Sequence, residues 1–245
     1  MRNIKITIEY DGTNYSGWQR QENALTIQEV LETALEMATG EMVRVIGSGR
    51  TDARVHARGQ VANFFTTSDI PAERFMHAIN LKLPEDILVV KSEEVSLDFH
   101  ARFDAKGKRY RYVIYNDKLA SPLNRNYSYH VKKPLNIDEM RKATKYFIGE
   151  KDFRSFMVAK TIVHTAVREI YSMEIRKNDP FIDIVIEGKS FLRNMVRIIA
   201  GTLVWVGTGR IKSEEVEKII EGRDRTLAGP TAPPQGLYLE KVYYD

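Results

Sequence analysis

The stretch Gly47-Ser48-Gly49-Arg50-Thr51-Asp52-Ala53-Arg54-Val55-His56 constrains this chain more than any other, because it sets one carboxylate among arginines on a turn hinged by glycines. Glycine permits backbone conformations closed to other residues, and the apolar run over 42–46 predicts a strand that delivers the turn. Arg50, Arg54 and Arg58 offer forked cations suited to phosphate, with Asp52 the only acid among them. Gly-x-Gly without a Walker lysine or a third fingerprint glycine is a weak phosphate-loop signal. Taken alone, the stretch reads as a tight turn in which Asp52 bonds its own backbone.

With 245 residues the chain is long enough for one large domain or two fused smaller ones. Lysine and arginine total 37 against 33 aspartate and glutamate, so the chain is mildly basic and not a polycationic tail. The distribution of charge says more than its sum. Residues 102–111 hold five basic side chains, one acid, and the aromatics Phe103 and Tyr110. Such a run is either a charge-protected strand edge or an anion-binding surface. There is no cysteine, which excludes disulfides, thiol nucleophiles and cysteine zinc sites and fits a reducing cytosol. The N-terminus runs straight into a strand pattern, and no stretch approaches the roughly 20 apolar residues that a membrane span needs. The expectation is a cytoplasmic protein with no membrane partner.

Ile4, Ile6 and Ile8 alternate with polar residues before Tyr10-Asp11-Gly12, predicting a first strand and a turn. Thr26 is placed to cap a helix over 27–38 with Val30, Leu31, Ala34 and Leu35 on one face. Strands are predicted over 43–46, 60–66 and 87–95, with a helix over 73–81. The second half opens with a strand over 109–115, followed by a helix over 137–148, strands over 166–175 and 181–187, helices over 190–206 and 213–221, and a strand over 237–243. Gly107 is a natural boundary. The expected class is α+β, with helices covering one side of an antiparallel sheet in each half, 1–107 and 108–245.

Several further blocks make the chain recognisable. Gly49-Arg50-Thr51-Asp52-Ala53 with Val55-His56-Ala57 and Gly59-Gln60 resembles the catalytic signature of the tRNA pseudouridine synthase A family. Glu9-Tyr10-Asp11-Gly12-Thr13 with Gly17-Trp18-Gln19-Arg20-Gln21 is similar to the family's opening strand and loop. Asn80-Leu81-Lys82-Leu83-Pro84, Asp98-Phe99-His100-Ala101-Arg102-Phe103, Lys108-Arg109-Tyr110-Arg111-Tyr112, Phe191-Leu192-Arg193-Asn194-Met195-Val196-Arg197 and Gly236-Leu237-Tyr238-Leu239 follow in order over nearly the whole chain. One departure stands out: Arg54 occupies a position where the family usually has glycine.

The resemblance implies two fused ferredoxin-like or RRM-like halves, a pseudouridine synthase fold with a central cleft. It implies a cofactor-free, metal-free enzyme that isomerises uridine at positions 38, 39 and 40 of the tRNA anticodon arm, working as a homodimer. The reaction breaks the bond from a uracil nitrogen to ribose, turns the base over and rejoins it through carbon, so it needs a nucleophile but neither redox nor transfer chemistry. By resemblance Asp52 is that nucleophile, and Arg50 takes the space of the flipped base. Tyr110 stacks on the uracil and serves the final proton, Arg197 pairs with Asp52, and Leu237 closes the apolar side of the pocket. Phe99, His100, Arg102 and Phe103 belong to an RNA-contact loop. The spacing of Arg193 and Arg197 predicts one face of an apolar helix. Tyr112 and Arg111 read as structural. Two other classes stay in view: a non-catalytic RNA-binding module on the same fold, and a metal-dependent phosphodiesterase using the Asp52 turn, for which Asp52 with His56 is the only suggestive ligand spacing.

Overall fold

A computed structural model describes residues 1–158 and 163–245. The chain divides into two compact units, one formed by residues 1–106 and 238–245, the other by residues 107–237.

In the first unit, β1 (Arg2–Tyr10) lies between β3 (His56–Thr66) and β4 (Ile87–Val95), antiparallel to both. The outer edge of β3 is shared: β2 (Ile46–Gly47) pairs with Ala62 and Asn63, and β10 (Leu237–Tyr243) runs parallel beside His56 and Ala57. Helices α1 (Ile27–Thr39) and α2 (Phe75–Asn80) complete a βαββαβ order, with strands in the ferredoxin-like sequence β4-β1-β3-β2. Ile4, Ile6 and Ile8 are fully buried with Leu31, Leu35, Phe64 and Phe75, as the period-two pattern requires. Thr26 caps α1 by accepting from the Glu29 N–H. The buried face of α1 is Ile27, Leu31, Ala34 and Leu35; Val30 lies at its margin.

The strand expected over 43–46 is reduced to Ile46 and Gly47. Side chains of α1 have taken its backbone groups: the Val45 N–H donates to Glu32 Oε1 and the Val45 carbonyl accepts from Gln28 Nε2. β3 begins four residues earlier than expected, because the neighbouring strands pair with Ala57. The helix expected over 73–81 is a 3-10 turn (Ala72–Arg74) followed by α2, which stops where the Asn80 side chain binds both backbone groups of Val89.

In the second unit, β5 (Gly107–Tyr115) pairs with β9 (Phe181–Gly188), β9 with β8 (Val167–Asn178), and β8 with β7 (Gly149–Asp152), all antiparallel. β6 (Tyr129–His130) lies parallel to the end of β5. β6 and β7 are short and carry no alternation long enough to read from sequence. Helices α3 (Ile137–Thr144), α4 (Met195–Gly207) and α5 (Glu215–Gly222) accompany the sheet. α3 is capped by Asn136 and passes into a 3-10 turn (Lys145–Phe147) where the sequence predicts more helix.

α4 is buried almost all round. It begins at Met195, five residues later than expected, because Asn194 adopts a left-handed backbone with φ of 62°. Arg193 therefore precedes the helix, and the shared helical face expected for Arg193 and Arg197 does not form. Among the described residues no helix is long and apolar enough to cross a membrane.

Candidate active site

Asp52 sits in the loop from β2 to β3, and that loop is fixed from beneath. Ser48, Thr51, Val55 and His56 are buried, Asp52 is half-buried, and Arg50, Ala53 and Arg54 are exposed. The Val55 N–H donates to the Asp52 carbonyl at 3.2 Å, closing a four-residue turn with Arg54 in its third position at φ of 64°. A positive φ there is what a type II turn demands and glycine supplies most readily. Arg54 holds the turn at a cost of about 1–2 kcal/mol in backbone strain. Arg54→Gly is thus expected to leave thermal stability unchanged or raise it, while Arg54→Val lowers it by at least about 1 kcal/mol. Thermal unfolding of the two variants side by side checks this, and equal melting temperatures would contradict it.

The loop following β1 supports the turn along its length. Trp18 N–H donates to the Thr51 carbonyl at 3.1 Å, and Arg54 N–H to the Tyr15 carbonyl at 3.2 Å. Gly12 and Gly17 let the two backbones touch: a Cβ at Gly12 would lie 2.1 Å from the Val55 carbonyl oxygen, and one at Gly17 2.6 Å from that of Thr51. Tyr10, at the end of β1, meets the Thr51 hydroxyl at 2.7 Å. Gln60 donates to the Gly49 carbonyl and accepts from the Ser48 hydroxyl. Burial pushes the Tyr10 phenol well above its ordinary pKa, against the pull of its bond to Thr51, so it stays neutral at working pH. The sequence reading assigned no role to Tyr10 or Gln60, although both lie in the quoted motif blocks. Their signal was polarity at positions whose strand neighbours are core.

Arg50 is exposed, and its guanidinium donates to Gln19 Oε1 at 3.0 Å. His56 is only 2 % exposed; its Nδ1 lies 3.0 Å from the Gly12 N–H and 3.1 Å from Asp11 Oδ1, and its ring stacks on Tyr238. Whichever partner sets the tautomer, Nδ1 is committed to this turn. Among the described residues no three histidine or carboxylate side chains converge as a metal site would need.

Phe99, His100, Arg102 and Phe103 lie in one compact loop of the first unit. Its support is a fully buried pair, Asn3 and Asn63, joined at 2.9 Å. Asn3 donates to the carbonyls of Ser96 and Phe99, and Asn63 accepts from the Ala101 N–H. Every polar atom of the pair is thereby used, as burial requires. His100 Nδ1 accepts from the Arg102 and Phe103 N–H groups, and its ring rests 4.3 Å from that of Phe103. Phe103 is left 75 % exposed with the Arg102 guanidinium beside it. An aromatic held out into solvent next to a cation can receive a nucleobase. Nothing in the sequence pattern singled out Asn3 and Asn63, because each is a single polar residue in a strand.

In the second unit Tyr110 is half-buried on β5, its ring nearly perpendicular to that of Phe191 with the ring centres 5.2 Å apart. Arg109 and Arg111 face Glu187 and Asp183 across the ladder, so two cations of the basic run 102–111 are matched by acids on β9. Tyr112 is fully buried and donates to the Pro233 carbonyl at 2.8 Å; burial drives its pKa up and the nearby Arg197 charge draws it back. Arg197, in the first turn of α4, donates to the Ala232 carbonyl at 2.8 Å and to Asn194 Oδ1 at 3.0 Å. Arg193 is exposed. Leu237 is buried at the start of β10, just after the 3-10 turn Pro234–Gly236.

The chain is similar to known proteins over its whole length. Residues 6–104 and 143–245 match the family model described as tRNA pseudouridine synthase. A protein of Ruminiclostridium cellulolyticum named tRNA pseudouridine synthase A is 56% identical over 245 residues, covering 100% of both chains. Proteins of the same name from Thermoanaerobacter sp. (strain X514) and Acetivibrio thermocellus are 54% and 52% identical over 244 residues, again covering 100% of each chain. With four-fifths of its length inside the family model and relatives of this identity aligned end to end, the chain belongs to the tRNA pseudouridine synthase family.

Proposed function

We propose that this protein isomerises uridine to pseudouridine at positions 38, 39 and 40 of the tRNA anticodon stem-loop. The observation that carries the reading is its likeness, over its whole length, to relatives named tRNA pseudouridine synthase A. The chemistry follows the family resemblance. Asp52 acts as the nucleophile, Arg197 as its counter-cation, Tyr110 as the aromatic partner of the uracil, Arg50 as the side chain that replaces the extruded base, and Leu237 as an apolar wall. The loop with Phe99, His100, Arg102 and Phe103 contacts RNA. A carboxylate works as a nucleophile only when ionised and aimed, and a paired uridine reaches it only after extrusion costing a few kcal/mol. The proposal extends to a homodimer in the cytoplasm.

The decisive experiment is tritium release from tRNA labelled at uracil C5, with the modified positions mapped, since rejoining the base through that carbon expels its hydrogen. Release without a chelator-sensitive step is expected. Release confined to other positions would refute the site assignment, and no release would refute the reaction.

Binding should also weaken steeply with salt. Lysine and arginine contacts displace counterions from tRNA, giving a logarithmic slope of about −0.7 to −0.9 per phosphate contact. A filter-binding titration from low to moderate salt measures it. A flat response would point to a small-molecule substrate.

A further inference from the structure

We infer that Tyr10, acting through Thr51, is a positioning residue for Asp52, an inference that rests on the reaction proposed above. Four observations carry it. Tyr10 is at the end of the central strand of its unit and 3 % exposed, so packing on every side fixes its ring. A phenylalanine would fill that space equally well; the hydroxyl is there for a bond, and it makes one to Thr51 Oγ1 at 2.7 Å. Thr51 is the residue before Asp52 and is itself 6 % exposed. The backbone on both sides of Asp52 is already held, the Thr51 carbonyl by Trp18 N–H and the Asp52 carbonyl by Val55 N–H.

These two bonds hold the peptide planes that flank Asp52, and the Tyr10 hydroxyl holds the side chain of residue 51, where the first of those planes begins, so the direction in which the Asp52 side chain leaves the backbone is set in part by Tyr10. Gln60 reinforces the arrangement upstream, accepting from the Ser48 hydroxyl and donating to the Gly49 carbonyl. The bond therefore acts on the direction of the nucleophile, and direction appears in the rate of chemistry and not in tRNA affinity.

The test is a double-mutant cycle of Tyr10→Phe and Thr51→Val, both nearly isosteric, with Thr51→Ser as the variant that keeps the hydroxyl. Single-turnover tritium release at saturating enzyme, tRNA affinity by filter binding, and thermal unfolding are read on each protein. Each single change is expected to slow turnover by about tenfold or more with affinity within about twofold, since misplacement near 1 Å costs up to a hundredfold. The double variant should be no slower than the slower single, because one bond is lost in all three. Thr51→Ser should recover most of the rate. If the singles melt earlier but turn over within about twofold of wild type, the bond is merely structural and the inference fails. It fails equally if the two losses multiply in the double variant. If Thr51→Val does not fold, Tyr10→Phe against Thr51→Ser decides on the same readouts. Absence of release from the wild-type protein would instead overturn the proposed reaction.

Discussion

Asp52→Asn is expected to remove turnover while leaving the protein folded and bound to tRNA. The change keeps the volume of a half-exposed side chain and leaves in place the backbone bond from the Val55 N–H to the carbonyl of residue 52 that closes the turn. What it deletes is the negative oxygen, and an amide is no nucleophile toward a glycosidic or pyrimidine carbon. Losses on deleting a covalent nucleophile are on the order of a thousandfold or more. Affinity should stay within a few-fold, because phosphate contacts spread over a basic surface supply it. Tritium release and filter binding on one preparation give both numbers. Activity within tenfold of wild type would exclude Asp52 as the nucleophile.

Gly12→Ala is expected to damage stability and rate together. Its new methyl would sit 2.1 Å from the Val55 carbonyl oxygen and 2.7 Å from the carbonyl carbon, both backbone atoms that no rotamer change can move. Val55 is 1 % exposed and closes the Asp52 turn, so the turn must be pushed as a body. Overpacking of this kind costs about 1–3 kcal/mol, which for a chain of this size lowers the melting temperature by roughly 2–10 °C. Because the displaced atoms belong to the same turn as Asp52, single-turnover rate should fall by about tenfold or more even below the melting transition. Calorimetry with single-turnover kinetics on the folded fraction checks both. A variant that melts lower but reacts at the wild-type rate would show that the two loops move independently.

Much of the scaffold is written locally. Ile4, Ile6 and Ile8 alternate and form a buried strand face, and Thr26 stands before an amphipathic segment and caps it. Where an element differs from its periodicity, either a side chain from another element or the backbone of a single residue intervenes. Val43 to Val45 look like a strand, but Gln28 and Glu32 of α1 occupy the backbone of Val45. Apolar character runs through Leu192 into α4, but Asn194 in a left-handed conformation breaks it and detaches Arg193.

The same division holds at the site. Arg50, Asp52, Tyr110 and Arg197 could be picked out in the sequence only because each stands in a motif block that resembles the family. The contacts that support them could not be. Asn3 reaches Asn63 and the 96–101 loop, Tyr10 reaches Thr51, and Gly12 meets Val55 across more than forty residues of chain.

By itself, then, the sequence determined the α+β class and most strand and helix positions, since those depend on periodicity and capping within a few neighbours, and it carried the motif blocks whose resemblance pointed to the family. Only the tertiary structure decided where the elements end, that Arg54 carries a left-handed turn, and that buried hydroxyl and amide groups brace the Asp52 and Phe99 loops. These depend on which backbone groups are left to be satisfied once the strands have paired, and a buried polar group finds its partner wherever the fold brings one within reach.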